Sequence, residues 1–507
     1  MRLSFAFLVF TVFVVFPAAC LAATCESLAS LALPNTTITL AQPVAAGEFT
    51  PPGPTEPGPP PAVAYKDLPA FCRVAATLKP SDDSDIKIEV WLPASGWNRK
   101  FQAVGNGGWA GVISYSALAE ALFDGYATSS TDTGHVGATG KFALDHPEKL
   151  VDYGYRAVHE MTLKSKAIIA AYYGRGAKLS YWNGCSAGGK QGLKEAQRFP
   201  DDFDAIIAGA PANNWTGRAA HALWIAQAVH NDEASYIPPS KYPLIHNAVL
   251  EACDARDGVK DGILDDPTRC QFDPKVLECK GADGPGCLSA PQVEAARRIY
   301  SGVANSRTKE QIFPGLEPGS ELGWAVMAGP QAFAIAQEHF KYVVFKDPSW
   351  DYRKLNFDSD IALAEKIDDG TINAMDPNLK PFFGHGGKLL QYHGWNDWQI
   401  APLSSVTYYK TVADTLGGAS KVKDSYRLFM VPGMGHCSGS EGTDHFDMLT
   451  AMEQWVENGK APDQIIASRV KDGAIDRTRP LCPYPQVATY KGSGSTDEAA
   501  NFVCKAP

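Results

Sequence analysis

The chain has 507 residues, of which 45% are hydrophobic and 20% charged, and its 56 acidic side chains outnumber its 46 basic ones. A formal charge of −10 argues against a protein that binds nucleic acid, because such proteins need a basic surplus to displace counterions. The length allows about two to four ordinary domains, or one domain with a large insertion, and excludes a structureless chain.

Residues 1–23 have the pattern of a signal peptide. A basic residue precedes an almost wholly apolar run from Leu3 to Phe16, and small residues follow that run. The run is too short to span a bilayer, which takes about 20 apolar residues. We therefore expect removal of this segment, export of the mature chain and no remaining membrane attachment. The alternatives are a membrane anchor and lipidation at Cys20.

Strand and helix patterns follow a stretch that is typical of an unpaired surface loop, or less readily of an interdomain linker. Residues 51–61 contain seven prolines and two glycines. After them we predict, in order, strands at 86–92 and 100–104, a helix at 155–173, a strand at 178–183, a helix at 187–198 and a strand at 205–208. This alternation predicts a parallel sheet that is covered by helices on both faces.

The alternation stops between residues 217 and 380, a span that holds four cysteines and many Asp, Pro and Gly residues. It resumes with strands at 388–393 and 426–431 and with a helix at 448–457. One α/β core interrupted by an insertion explains this order better than two domains in series. We predict core segments at 24–216 and 381–507 and an inserted domain at 217–380.

The segment Gly184-Cys185-Ser186-Ala187-Gly188 lies between a predicted strand and a predicted helix. A Gly-x-Ser-x-Gly turn in that position is typical of a nucleophile elbow, which exposes the serine hydroxyl near a helix N-terminus. The alternative is an ordinary strand–helix turn with a capping serine. In this context the pattern predicts a nucleophilic Ser186.

A serine nucleophile requires a base and an acid that orients the base, and in α/β-hydrolases the chain order is Ser, acid, His. Asp397 follows the predicted strand at 388–393, and His436 follows the strand at 426–431, so both fit. His393 lies inside a strand and is expected to be a core histidine. Three later alternatives are expected to be solvated or to cap a helix: Asp444, His445 and Asp447.

The cysteine pattern agrees with export. Ten of the eleven cysteines remain without Cys20, and an even number in an exported chain predicts disulfides rather than metal thiolates. Parity alone assigns no pair. Proximity favours Cys253–Cys270, Cys279–Cys287 and Cys482–Cys504, and Cys25 with Cys72 could close the proline-rich stretch.

Two further cysteines adjoin the candidate catalytic residues. Cys185 directly precedes Ser186, and Cys437 directly follows His436. If the serine and the histidine lie within hydrogen-bonding reach, the two cysteines could fall within disulfide distance. Such a bond would limit the movement of the histidine relative to the serine.

These motifs together strongly resemble the tannase and feruloyl esterase family. The resemblance rests on Gly-Cys-Ser-x-Gly-Gly at 184–189, the aspartate at 397 and His-Cys at 436–437, and it extends to the segments at 105–108 and 130–135. It implies a secreted serine esterase with an α/β-hydrolase core and a lid inserted between the nucleophile and acid strands. It also implies a nucleophile at Ser186, an acid at Asp397, a base at His436 and a Cys185–Cys437 bridge.

The elbow also indicates where the donors of an oxyanion hole should lie. One is expected to be the N–H of Ala187, and the other should come from Gly107 or Gly108 after the strand at 100–104. The alternative is that these glycines only serve a tight turn that requires positive φ.

The inserted region contains a dense group of acidic residues at 253–265. Carboxylates and carbonyls suit Ca²⁺, which prefers about six to eight oxygen ligands. An EF-hand does not fit, because Asp265 stands where that loop needs a glutamate, and a solvated acidic loop is the alternative. The resemblance implies a structural Ca²⁺ in the lid, bound by Asp254, Asp257, Asp261 and the carbonyls of Val259 and Ile263.

The expected substrate is an aromatic carboxylic ester, and feruloyl or hydroxycinnamoyl esters of plant cell-wall polysaccharide are favoured over galloyl esters. No organic cofactor is expected. Several rings could line a pocket for such an acyl group, although buried rings more often belong to the core: Trp215, Trp224, Trp324, Phe333, Phe345 and Trp398. The other functional classes that fit are a serine peptidase and a secreted binding protein without activity.

Overall fold

The computed structural model describes residues 23–52 and 62–506. The predicted signal peptide, except for Ala23, and most of the proline-rich stretch lie outside these ranges. In the described part of the chain, no helix has the length and apolar character needed to cross a bilayer.

The strands within the described ranges form one nine-stranded sheet and three two-stranded ribbons. In chain order they are β1 (Thr36–Val44), β2 (Phe71–Leu78), β3 (Ile86–Pro93), β4 (Lys100–Val104), β5 (Ala127–Thr131), β6 (Leu179–Cys185), β7 (Ala205–Gly209), β8 (Val303–Ala304), β9 (Gln311–Phe313), β10 (Lys388–Gly394), β11 (Tyr426–Val431), β12 (Ile465–Lys471), β13 (Ala474–Leu481), β14 (Val487–Tyr490) and β15 (Phe502–Lys505).

The α-helices of the same ranges vary from single turns to the 17 residues of α3. In chain order they are α1 (Tyr115–Phe123), α2 (Pro147–Val151), α3 (Ala157–Tyr173), α4 (Ala187–Arg198), α5 (Trp215–His230), α6 (Tyr242–Cys253), α7 (Ala290–Ser301), α8 (Ala325–Ala328), α9 (Ala334–Glu338), α10 (Ser359–Asp368), α11 (Lys380–Gly384), α12 (Leu403–Thr415), α13 (Ala419–Val422) and α14 (Met448–Asn458).

The large sheet is mixed, with strand order β1-β2-β3-β5-β4-β6-β7-β10-β11. The strands from β5 to β11 pair in parallel, as predicted. The prediction of a mostly parallel sheet is confirmed, and the antiparallel part is confined to the other edge, where β1, β2, β3 and β5 pair antiparallel. Only a short loop joins β2 to β3, whereas parallel neighbours need a crossover of about a dozen residues or more.

The structure confirms the predicted elements of the α/β core. The predicted strands correspond to β3, β4, β6, β7, β10 and β11, and the predicted helices correspond to α3, α4 and α14. In the parallel region, strands such as β7 are buried along their whole length. That burial is expected when helices cover both faces of a sheet.

The inserted region between β7 and β10 is helical and packs directly on the core. Its helices α5 to α10 and the ribbon β8–β9 surround an apolar cluster that includes Trp324 and Phe340. The same cluster contains Trp109, Tyr153 and Ala187 from the first core segment. The predicted boundaries at 216/217 and 380/381 fall inside α5 and α11, and they stay predictions.

The disulfide pairs confirm the sequence-based expectations. The three local pairs are formed, and Cys25 on the N-terminal segment is joined to Cys72 on β2. Cys185 and Cys437 are also bonded, although 252 positions separate them in sequence, and their Cα atoms lie 6.0 Å apart.

Candidate active site

Ser186 lies on a strained turn between β6 and α4. Its φ angle of 62° belongs to the left-handed region, which residues with a side chain rarely occupy. Glycines make the turn possible. A Cβ atom on Gly184 would lie 2.7 Å from the backbone of Gly188, and one on Gly105 would lie 2.5 Å from the same residue. The turn therefore presents Ser186 as the elbow motif predicted.

The structure brings Ser186, His436 and Asp397 together in one chain of hydrogen bonds. Ser186 Oγ lies 2.9 Å from His436 Nε2, and His436 Nδ1 lies 2.7 Å from Asp397 Oδ2. The serine directly follows β6, and the other two residues follow β10 and β11. Such a chain can pass the hydroxyl proton to the imidazole and make the oxygen a nucleophile.

The Asp397 carboxylate is buried and fully bonded. Its Oδ1 accepts hydrogen bonds from the N–H groups of Gln399 and Ile400, at 2.7 and 3.0 Å. Burial opposes ionisation, but His436 and His393 outweigh it and hold the pKa of Asp397 well below its ordinary value. A charged Asp397 can orient the His436 ring and stabilise its protonated form.

His393 is a buried histidine with every hydrogen-bonding atom occupied, as expected, but it also contacts the acid. Its Nε2 lies 3.0 Å from Asp397 Oδ2 and 3.0 Å from the Ile400 carbonyl. The carbonyl can only accept, so Nε2 carries a proton, and Nδ1 lies 2.7 Å from the Ser405 hydroxyl. The strand position of His393 did not reveal this second role.

The predicted oxyanion residues border the same cavity as Ser186. Gly107 and Gly108 line it, and Ala187 begins α4, so its N–H has no acceptor within the helix. In the ranges that the structure describes, the N–H groups of Gly107 and Gly108 donate to no protein atom. Gly108 has a φ of 53°, so the glycine also meets a conformational requirement of the turn.

Side chains that the sequence analysis did not single out hold the loop that contains these glycines. Tyr153 donates from its hydroxyl to the Gly108 carbonyl at 2.6 Å. Burial lowers the pKa of His135, and its neutral ring donates from Nε2 to the Trp109 carbonyl at 2.7 Å. These two hydrogen bonds fix the loop that contains Gly107 and Gly108.

The same loop is tied to the helix that follows the nucleophile. The Gln191 side chain on α4 accepts from the Asn106 N–H at 3.2 Å and donates to the Asn106 side chain at 2.8 Å. Asn106 in turn donates to the Thr131 carbonyl at the end of β5. In the sequence, the feature that could have indicated this contact is Gln191, which lies on the helix that follows Ser186.

The cavity beside Ser186 has a volume of about 440 Å³. Its described lining residues are Gly105, Asn106, Gly107, Gly108, Ser114, Ser116, Ala117, Cys185, Ser186, Gln399, His436 and Cys437. The six rings proposed as possible pocket residues are not among them. Trp215 and Trp324 are buried in the core, and Trp224, Phe333 and Phe345 pack against the same apolar cluster.

The later alternatives for the acid and the base lie outside this arrangement. The expectation of a solvated or capping side chain is wrong for Asp444, which is only 13% exposed and accepts from the Gly439 N–H. The His445 side chain is 59% exposed and pairs with Asp444. Asp447 caps α14 by accepting from the Thr450 N–H at 2.8 Å.

The acidic segment at 254–265 folds into a compact loop with glycines at positive φ at 258 and 262. The Asp254 carboxylate accepts from the N–H groups of Asp261 and Gly262, and the Asp257 carboxylate accepts from Val259 and Asp265. Arg477 and Arg479, on β13, both pair with Asp261. The loop therefore also contacts the last part of the chain.

The charges of this loop suit a divalent cation. Among the described residues, no cationic side chain forms an ion pair with Asp254, Asp257 or Asp265. Burial raises the pKa of Asp257 to about 6 and that of Asp265 to about 8. The carboxylates of Asp254, Asp257 and Asp261 do not all lie within 4.8 Å of one another. The suitability of the loop for a divalent cation therefore rests on its oxygen donors and its negative charge.

Comparison with known proteins gives consistent relatives. The family model described as "Tannase and feruloyl esterase" matches residues 72–505. An uncharacterised esterase of Xanthomonas campestris pv. campestris is 39% identical over 532 aligned positions, covering 95% of this chain and 91% of that protein. A probable feruloyl esterase B-1 of Aspergillus fumigatus is 37% identical over 451 positions, covering 85% of each chain.

A solved structure is similar over nearly the whole chain. The crystal structure of feruloyl esterase B from Aspergillus oryzae superposes with a TM-score of 0.88 at 32% sequence identity. The match covers 95% of this chain and 99% of that one. The α/β-hydrolase core and the inserted region therefore occur together in a known enzyme fold.

We expect the Cys185–Cys437 bond both to hold His436 in position and to stabilise the fold. We expect Cys185→Ala/Cys437→Ala to slow covalent labelling of Ser186 by a fluorophosphonate by up to about 10²-fold, because small displacements of a catalytic group are costly. Chain entropy predicts a loss of about 5.5 kcal/mol from the free energy of unfolding for a loop of this length. Labelling rates and urea unfolding curves measure the two effects, and parental labelling in the variant would contradict the prediction.

Proposed function

Because the chain belongs to the tannase and feruloyl esterase family and is a carboxylic ester hydrolase, we propose that its substrates are aromatic esters, above all feruloyl and related hydroxycinnamoyl esters. The names of the A. fumigatus and A. oryzae relatives support this acyl group. Attachment of the ester to plant cell-wall polysaccharide is part of the proposal. The observation that carries the proposed mechanism is the 2.9 Å contact between Ser186 Oγ and His436 Nε2.

In the first step, Ser186 Oγ attacks the ester carbonyl carbon while His436 Nε2 takes the hydroxyl proton. Asp397 accepts the Nδ1–H of His436 throughout, which favours the protonated ring. The carbonyl oxygen becomes negatively charged, and the N–H groups of Gly107, Gly108 and Ala187 are the proposed donors to it. Donors that are fixed before the reaction stabilise such a charge without reorganisation.

In the second step, the tetrahedral intermediate collapses and the alcohol leaves with the proton from His436. An acyl group now remains on Ser186 as an ester. His436 then removes a proton from a water molecule, the resulting hydroxide attacks the acyl carbon, and the carboxylic acid is released. The proton returns to Ser186 Oγ, and the enzyme is restored.

We also propose that the loop at 254–265 binds Ca²⁺. The carboxylates of Asp254, Asp257 and Asp261 and the carbonyls of Val259 and Ile263 would hold the ion, which would supply positive charge among buried carboxylates. Its role would be structural. It would brace the end of α6 against β13 through Asp261 and its two arginine partners.

Secretion is the proposed location. Five disulfide bonds support it, because such bonds persist in oxidising compartments and are rare in the cytosol. The apolar pattern of residues 1–23 supports it as well.

Ser186→Ala should abolish ester hydrolysis, with a loss of about 10⁴-fold or more in kcat, because no other group can form the acyl-enzyme. The matched control is Ser438→Ala, which removes an exposed hydroxyl two residues after His436. The unmutated enzyme should release the alcohol product in a rapid burst before steady-state turnover. Activity retained in Ser186→Ala would remove this residue from the mechanism.

Turnover of methyl ferulate and methyl gallate should separate the two aromatic acyl groups of the family. We expect a higher kcat/KM for methyl ferulate. The names of the feruloyl esterase relatives support this order of preference. A strong preference for the gallate ester would identify the protein as a tannase instead.

Chelation with EDTA should lower the melting temperature, and Ca²⁺ should restore it better than Mg²⁺, since the site offers flexible oxygen ligands. At a free Ca²⁺ concentration 100 times Kd, binding would add about 2.7 kcal/mol to the free energy of unfolding. Thermal unfolding of Asp257→Asn should show no response to Ca²⁺. Glu251→Gln, at an exposed carboxylate on α6, should respond like the parent.

A further inference from the structure

A short lid segment, residues 319–323, contacts the loop of the proposed catalytic acid. Asn396 directly precedes Asp397, and its side-chain amide donates to the Gly319 carbonyl at 2.8 Å. Asn396 also donates from its backbone N–H to the Met434 carbonyl at 2.9 Å, which joins the acid loop to the histidine loop.

The Trp398 ring fills the space between the same lid segment and the histidine loop. A Cβ atom on Gly323 would lie 2.0 Å from this ring, and one on Gly435, the residue before His436, would lie 2.3 Å from it. Only glycine permits such a close approach on both sides of the ring. The lid segment, the acid loop and the histidine loop therefore pack as one layer.

A buried carboxylate, Glu321, organises the lid segment. It accepts from the Gly319 N–H at 2.8 Å, from the Tyr300 hydroxyl at 2.7 Å and from His246 Nδ1 at 2.9 Å. The carboxylate is completely buried, and His246, on α6, is its cationic partner. Such a buried charge is stable only while its partners stay in place.

His246 connects this carboxylate to the histidine loop. Its second nitrogen, Nε2, lies 2.9 Å from Glu441 Oε2, a close ion pair whose angles fall short of a hydrogen bond. Glu441 lies five residues after His436, and its backbone N–H donates to the Gly433 carbonyl at 3.2 Å. A charged imidazole thus links α6 and the lid segment to the loop that carries the proposed base.

We propose that His246, Glu321 and Glu441 are positioning residues for the esterase reaction. Protonated His246 ties the histidine loop to the lid segment and so keeps His436 at its distance from Ser186. This inference rests on the proposed function and adds that contacts with the lid segment keep the proposed base, His436, in position. None of the three residues needs to touch the substrate.

Among the described residues, no charged side chain other than Glu321 and Glu441 forms an ion pair with His246. Arg469 donates to the Glu441 carbonyl and pairs with Asp476. The turns that pack against α6 carry the remaining charges. Lys241 pairs with Asp283, and Arg256 donates to backbone carbonyls. The others are Asp254 and Asp257 of the acidic loop and Lys275. The two glutamates are therefore the groups that act on His246 directly.

The link should depend on pH in one direction. Burial disfavours the charged ring, but Glu321 and Glu441 outweigh it and raise the pKa of His246 to about 9. The ring is charged below that pH and loses its charge above it. Because the pKa of His246 is raised in the folded protein, the stabilising contribution of its charged ring is complete below the pKa of the unfolded chain and is lost as pH rises through about 9.

The variants His246→Gln and Glu441→Gln test the proposal, and His445→Gln, at an exposed histidine on the same side of the core, is the control. The readouts are the rate of Ser186 labelling by a fluorophosphonate and kcat and KM for methyl ferulate, each from pH 6 to pH 10. Circular dichroism verifies the fold. Glu441 is partly exposed, so its variant should fold even where the His246 variant does not.

We expect both variants to label more slowly at pH 7, by about 10-fold and up to about 10²-fold, with kcat lowered and KM nearly unchanged. The parental fall in rate near pH 9 should disappear in both. Parental rates and pH profiles in the variants would overturn the proposal, whatever the substrate. If the unmutated protein reacts with the fluorophosphonate at Ser186 but does not hydrolyse methyl ferulate, the proposed acyl group is contradicted. The labelling rates still test the positioning role of His246 and Glu441.

Discussion

The strained turn at Ser186 is the constraint on which the rest of the site depends. A residue with a side chain pays roughly 1–3 kcal/mol to stay in such a conformation, so the surroundings must hold it there. The contacts among Gly105, Gly184 and Gly188 do so, because they bring the end of β6, the start of α4 and the loop after β4 to van der Waals distance. Cys437 has a φ of 65°, so the bond between Cys185 and Cys437 joins two constrained turns.

The parallel sheet explains why residues so far apart in sequence meet at this turn. β6, β7, β10 and β11 are neighbours, so their carboxyl ends lie along one edge of the sheet. Ser186, Asp397 and His436 follow three of these strands. The sheet alone places them in the same region, and the hydrogen bonds of Asp397 with Gln399, Ile400 and His393 then fix the orientation of the acid.

Buried charge appears in the same form at several places in the molecule. Asp397 lies between two histidines, and His246 lies between two glutamates. In each case the central group keeps its charge despite burial because partners face it on both sides. The inserted region thus takes part in the electrostatics of the core, since its His246 and Glu321 form ion pairs that reach Glu441 on the histidine loop, as well as covering the core.

The sequence by itself predicted the α/β core and the three residues that the structure joins by hydrogen bonds, Ser186, His436 and Asp397. Strand periodicity, glycines on both sides of Ser186 and the order Ser, Asp, His are local or one-dimensional signals, and the cysteines beside Ser186 and His436 even indicated which loops would meet. Only the tertiary structure decided the antiparallel edge of β1 to β3, the contact of His393 with Asp397, and the link through His246. Those features depend on which surfaces face each other across long separations in sequence. The residue type of a glutamate or histidine does not tell whether its partner is water or a buried ion.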